Sequence, residues 1–338
     1  MIAKKQVVIV GAGIIGRLLA LKLSKNSLYE IELYDRNFHR QSSSYVAGGM
    51  LAPYCESEMH AEQFLGVACS SLDQWFSESA EFRSRIGLEK NGSLIIAHPR
   101  DSDLLEKTVA KIKIHPALAS YLDRHGIRKI EPVLADRFSR GFFIPSEAHL
   151  EPEKTLDYIG QELVRSGVEF KNTEISHERM STIAAENPEA IVFDCRGVGA
   201  RDQFKELRSV RGEGILIKNR EISLTRPVRL IHPRYKLYII PRSGGLFYIG
   251  ATAIESDSTS CITVRSTLEL LSAAYSIDPR FGEAEIIDTK VGLRPTFDDG
   301  LPVVKKDSNI ISINGLSRHG FLLGPSVVTQ ATKLILEN

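Results

Sequence analysis

The sequence predicts an α/β chain with a doubly wound, mainly parallel sheet, joined to a second unit built on antiparallel strands. Three observations predict it. Residues 7–10, VVIV, form a β-branched apolar run that leads into three glycines at fixed spacing, GAGIIG, and then into the helical pattern RLLALKLSKN. A second strand-to-glycine junction recurs in AIVFDCRGVGARD, residues 190–202. The run LYIIPRSGGLFYIGATA, residues 237–253, alternates β-formers on both sides of a Ser-Gly-Gly turn, as an antiparallel hairpin does.

Composition narrows the function classes. At 338 residues the chain is long enough for two lobes. Its 43 basic and 42 acidic side chains give no basic excess of the kind nucleic acid demands, so the expected partner is a small molecule. Cys55, Cys69, Cys195 and Cys261 lack CxxC spacing, which speaks against a zinc site or a disulfide framework and fits a reducing compartment. The N-terminal apolar run is interrupted by Arg17 and lacks a small-residue cleavage site, and no other stretch reaches the roughly 18–20 apolar residues of a membrane span. A cytoplasmic protein is expected. The oligomeric state is left open, and a homo-oligomer is compatible with the sequence.

The first element carries a mechanism. An all-apolar strand suits a parallel sheet covered on both faces. Gly11 allows the tight turn, Gly13 lets a pyrophosphate approach the backbone, and Gly16 lets the helix pack against the strand. The next strand, YEIELYD, ends in Asp35, near the expected interval for a carboxylate that accepts ribose hydroxyls. Together these predict a Rossmann-like dinucleotide site. In RQSSSYVAGGMLAPYCE, residues 40–56, serines precede the small-residue loop Ala47-Gly48-Gly49-Met50, which lets a flat ring lie against backbone, and a helix is expected from about Glu56.

With this loop the chain resembles the D-amino acid oxidase family of flavoproteins, in particular its glycine oxidase branch, and the resemblance spans nearly the whole sequence. It implies FAD as cofactor, contacted by Gly11, Gly13, Ile14, Ile15, Gly16, Asp35, Arg36, Ser43, Ser44, Ala47, Gly48, Gly49 and Met50. It further implies contacts from the second glycine turn at Gly197 and Gly199, from Arg294, and from His319, Gly320, Phe321 and Leu322 before the last helix. That helix is expected to begin near Pro325 or Ser326, with Val327, Val328, Ala331, Leu334 and Ile335 on its apolar face. In HLEPEKTLDYIGQELVRSGVEF, residues 149–170, Leu156, Ile159, Leu163 and Val164 repeat at helical spacing and Gly167 is the stop. Cys195 reads as a small buried residue rather than a nucleophile.

The substrate-side residues follow from the same resemblance. Arg294 in VGLRP matches the arginine that pairs with a substrate α-carboxylate, for which a planar guanidinium fork is suited. Without the resemblance, an ion pair with Asp298 or Asp299 explains it equally well. Tyr238 and Arg318 match substrate-contacting positions, and Met50 is expected on an apolar wall beside the hairpin. Element order divides the chain into an FAD domain, about 1–84, 147–207 and 294–338, and a substrate domain, about 85–146 and 208–293. The implied reaction is oxidation of a small amino acid or amine, with dioxygen as acceptor and thiamine thiazole synthesis as context. Lys236 and Ala253 depart from the glycine oxidase branch, which has histidine and methionine there. The alternative is a flavoprotein that acts on a partner protein and helps mature its side-chain-derived quinone.

Overall fold

The computed structural model of the chain describes residues 4–36, 42–57, 62–234 and 237–335; the unassigned Lys236 lies outside them. The VVIV run belongs to the strand Lys5–Val10, which sits inside a six-stranded sheet. Its order is Val303–Asp307, Ile310–Asn314, Ile191–Asp194, Lys5–Val10, Tyr29–Tyr34, Glu169–Lys171. Every neighbouring pair is parallel except the edge pair Val303–Asp307 with Ile310–Asn314. The run is apolar throughout because both faces are covered. Val7 and Ile9 pack with residues of the helices Ile14–Leu23, Pro152–Arg165 and Gly320–Lys333, whereas Val8 and Val10 pack with Met180 and Ala184 on the other side. Each such buried side chain contributes about 1.5–3 kcal/mol.

The helix Pro152–Arg165 buries Leu156, Ile159 and Leu163 completely, while Val164 is 65% exposed and lies off the apolar face. Gly167 ends it at φ +77°, and the Val168 N–H closes back on the Leu163 carbonyl at 3.0 Å. The helix expected near Glu56 is two helices, Pro53–Glu56 and Glu62–Ser77.

The last helix starts earlier than its proline suggests, at Gly320, and carries Pro325 inside it. A proline there cannot donate to the carbonyl four residues back. That carbonyl, of Phe321, accepts instead from the indole Nε1 of buried Trp75 at 2.8 Å. The missing bond is supplied from another helix.

Among the described residues a second, nine-stranded sheet runs Ile254–Glu255, Arg208–Lys218, Leu246–Gly250, Leu237–Arg242, Val228–Ile231, Ser93–Ala97, Arg140–Ile144, Ser120–Asp123. Glu285–Thr296 pairs with Arg208–Lys218 beside this path. Its pairs are antiparallel except Val228–Ile231 with Ser93–Ala97. One face is core: Ile215, Ile217, Ile239, Phe247 and Ile249 pack against Leu270, Ala273 and Ile277 of the helix Val264–Ile277. The other face is unlike it. Gly212 stands opposite Gly292, Gly214 opposite Gly250, Gly250 opposite Tyr238, and Tyr238 opposite Arg229. Directly opposed residues share a face, so four glycines form a bare patch bordered by a tyrosine and an arginine. No helix among the described residues is long and apolar enough to cross a membrane.

Candidate active site

The glycine turn after the first strand is tied down by groups from far along the chain. Asp35 accepts the Ala12 N–H at 2.7 Å, and Ser44 Oγ accepts the Ile14 N–H at 3.0 Å, so a serine thirty residues away stands at the helix N-terminus. Such a terminus favours negative charge. Arg17, which reads in the sequence as an interruption of an apolar run, is 4% exposed and donates Nε to the Ala12 carbonyl and Nη1 to that of Leu156. It fixes the turn to the helix Pro152–Arg165. The second glycine turn is fixed by Arg196, whose guanidinium bonds both oxygens of Asp194 and both of Asp202. Partial burial opposes ionisation of Asp202, but Arg196 together with the His177 and Gln203 N–H groups outweighs it and holds the carboxyl down at about 2.

Above these turns lies a cavity of about 710 Å³. Of the residues expected at FAD, Gly11, Gly13, Ile14, Ile15, Asp35, Arg36, Ser43, Ser44, Gly197, Gly199 and Gly320 line it. The far wall comes from the antiparallel sheet, through Lys290, Val291, Gly292, Leu293 and Pro295. Gly16 is not on the wall and serves packing, since a Cβ there would lie 1.9 Å from the Gly11 carbonyl oxygen. His319, Phe321 and Leu322 have buried side chains, so any contact they make with a ligand in the cavity is through backbone. Cys195 is half-buried on the wall, and desolvation raises its thiol well above the usual range. It stays protonated. The cavity fits FAD: two glycine turns and a helix N-terminus for phosphates, a carboxylate at the end of the second strand, and Gly292 on the wall supplied by the antiparallel sheet.

Ala47, Gly48, Gly49 and Met50 do not line that cavity, but their backbone is held unusually well. Tyr248 Oη donates to the Val46 carbonyl at 3.1 Å. Arg242 Nη2 donates to the carbonyls of Ala47 and Gly48 at 3.3 and 3.1 Å, and the Leu150 N–H donates to that of Gly49 at 2.9 Å. Four successive carbonyls are thereby engaged, which leaves the peptide N–H groups between them directed away from these donors. Arg242→Met, which removes the donors and keeps most of the bulk, is expected to weaken FAD binding about tenfold, since a charged hydrogen bond contributes about 1.5–3 kcal/mol. A fluorescence titration of the stripped protein with FAD checks this, and an unchanged Kd rejects it.

Met50 does not face the substrate pocket; it pairs with His149 in a short ladder and packs beside the cluster of Ala52, Cys55 and Ile95. His149 is 3% exposed and its Nδ1 has no partner among the described residues. Burial, reinforced by Arg242, pushes its pKa down from 6.5 to about 4. Below pH 6.5 the unfolded chain therefore takes up a proton that the folded chain refuses, and stability falls until about pH 4. The expected loss across that window is roughly 3 kcal/mol. His149→Leu should flatten the profile of Tm against pH, and an equally steep profile in the variant rejects the assignment.

A second pocket, of about 330 Å³, opens over the glycine-bearing face. Tyr238, Arg294, Arg318 and Ala253 line it together, although they come from three separate stretches of chain. Arg294 donates Nη1 to the Thr252 carbonyl at 2.9 Å. Thr252 is itself held by Glu213, through the Thr252 N–H at 3.1 Å and the Glu213 N–H at 2.9 Å. Arg211 locks Glu213 from the other face of the sheet at 2.6 Å. Asp298 pairs with Arg208 at 2.6 Å rather than with Arg294, and no carboxylate among the described residues pairs with Arg294. That removes the structural ion pair as its explanation. Arg318 faces Glu56 at 3.5 Å.

Several residues of this region escape a reading of sequence alone. Arg229, Arg234 and Arg265 line the pocket without belonging to any motif. Gly212 and Gly214, in VRGEGIL, do leave a signal, because glycines two apart inside a strand pattern mark a close approach. A Cβ on Gly212 would sit 2.2 Å from Arg294 Nη2, and one on Gly214 2.3 Å from Tyr248 Oη. The two side chains lie flat on the sheet only because those positions are bare.

With this geometry in hand, comparison with known proteins gives a consistent result. The family model DAO, FAD dependent oxidoreductase, matches residues 6–330. A protein of Rhizobium etli, named provisionally as the thiamine biosynthesis oxidoreductase ThiO, is 35% identical over 337 residues, covering 98% of this chain and 96% of its own. The glycine oxidase of Bacillus subtilis is 24% identical over 357 residues, covering 98% of this chain and 93% of its own. The crystal structure of glycine oxidase from Bacillus cereus shares the fold, with a TM-score of 0.84 at 21% identity over 99% of this chain and 98% of that one.

Proposed function

The chain belongs to the DAO family of FAD-dependent oxidoreductases, and from that premise we propose that it oxidises the C–N bond of a small α-amino acid or amine held in the pocket over the glycine patch. FAD, when bound, would supply the electron sink for the two-electron oxidation of the substrate C–N bond, with dioxygen as the acceptor that gives H2O2. The substrate leaves as an imine that water hydrolyses. One observation carries the reading: Arg294 presents a guanidinium without a carboxylate partner among the described residues, in a pocket beside Tyr238 and next to the glycine-lined cavity.

The work of the protein in this reading is positional. Arg294 holds the substrate carboxylate by its planar fork, Tyr238 bonds to the substrate, and Arg318 adds charge at the pocket wall. Thr252, itself held by Glu213, keeps the Arg294 side chain flat on the sheet, so orientation is prepared before substrate arrives. The Arg242 and Tyr248 clamps keep the Ala47–Met50 loop in one conformation. The test is anaerobic mixing of the yellow protein with glycine, sarcosine, D-alanine and small amines. Flavin bleaching, followed by peroxide on admitting air, is the expected outcome. A flavin untouched by every amine would sink the reading and direct the search to a protein substrate.

A further inference from the structure

We propose, resting on the oxidase reading above, that the preferred substrate carries a second carboxylate: an amino dicarboxylate, or a secondary amine bearing two carboxymethyl-type groups. The pocket is far more cationic than one α-carboxylate requires. Its charged lining among the described residues is Arg229, Arg234, Arg265, Arg294 and Arg318 against Glu56 and Glu269. Even with Arg229 set aside, four arginines face two glutamates. The guanidinium groups of Arg234 and Arg265 pair with no carboxylate among the described residues, and Arg318 meets Glu56 only at 3.5 Å.

A whole chain of nearly balanced charge thus concentrates its basic groups in one small pocket of about 330 Å³. A cleft lined by one sign of charge focuses its potential and raises the local concentration of oppositely charged ligand. A zwitterion with one carboxylate would satisfy the Arg294 fork and leave Arg234 and Arg265, both exposed at the pocket, without a counter-charge among the described residues. A second carboxylate compensates them. Arg265 lies in the first turn of the helix Val264–Ile277, and both Arg265 and Ser266 of that turn reach the pocket, so the helix N-terminus adds to the attraction for an anion. Glu269 on the pocket lining is an acceptor for the substrate ammonium. The chemistry is unchanged: the substrate loses a hydride and a proton to become an imine, bound FAD would accept that hydride pair and dioxygen would take it up as H2O2, and water hydrolyses the imine to a carbonyl compound and the amine.

The test compares kcat/KM for D-aspartate, D-glutamate and iminodiacetate with that for glycine, sarcosine and D-alanine, using the holoenzyme and following peroxide. At least one dicarboxylate should exceed the best monocarboxylate tenfold, and its kcat/KM should fall more steeply with added salt. Arg265→Gln, with FAD content measured to exclude misfolding, should shrink the dicarboxylate-to-monocarboxylate ratio at least threefold, mainly through KM. Monocarboxylates turned over as well as or better than dicarboxylates would overturn the proposal and leave the oxidase reading standing. No bleaching by either class would overturn both. An unchanged ratio in Arg265→Gln would overturn the assignment of this group to the second carboxylate.

Discussion

Arg294→Ala lowers kcat/KM on the reactive amino acid by about 10²–10³-fold, the expected cost of removing one partner of a charge-assisted, bidentate pair in a partly desolvated site. The side chain stands where such a loss is specific. It lies over the bare backbone of Gly212, is steadied by the Thr252 carbonyl, and pairs with no carboxylate among the described residues. FAD content should stay near that of the parent, because the truncation leaves the glycine turns and the Ala47–Met50 loop intact. Arg294→Lys keeps the charge and loses the planar fork, so it should recover little of the activity. Steady-state oxygen consumption and anaerobic flavin reduction check both variants. A drop of less than threefold in Arg294→Ala would remove the arginine from the substrate site.

Gly16→Val abolishes FAD retention and destabilises the fold by about 3 kcal/mol, as overpacking of a tight contact does. A Cβ at residue 16 would lie 1.9 Å from the Gly11 carbonyl oxygen. Gly11 has little room to yield, for it sits at φ +104° beside the Cys195 carbonyl, from whose oxygen a Cβ there would lie only 2.4 Å. The helix Ile14–Leu23 must move away from its strand, carrying the Ile14 N–H off Ser44 and the helix N-terminus off the phosphate position. Gly16→Ala should show the same direction with a smaller effect. The measurements are the flavin-to-protein absorbance ratio after gel filtration and the thermal midpoint. A yellow Gly16→Val protein with an unshifted midpoint would refute the packing argument.

What the amino-acid sequence determined by itself are the features that neighbouring residues settle among themselves. The two-sided burial of VVIV, the glycine turn, the hairpin at 237–250 and the stop at Gly167 are of this kind, because their pattern is a local steric requirement. The resemblance to a flavoprotein family also rested on such contiguous blocks. The start of the last helix was not legible, because Pro325 argues locally for a boundary and only Trp75, 246 residues from the carbonyl it serves, overrides that argument. Nor was the shape of the substrate pocket. The patch of Gly212, Gly214, Gly250 and Gly292 exists only in the register of three strands, and Arg229, Arg265 and Arg318 converge with Arg294 from distant stretches. Arg242 is an ordinary strand residue until the Ala47–Met50 loop docks against it. Local sterics are written in consecutive residues, but a charged pocket is a sum over side chains that long-range strand pairing brings together, and only the tertiary structure decides that sum.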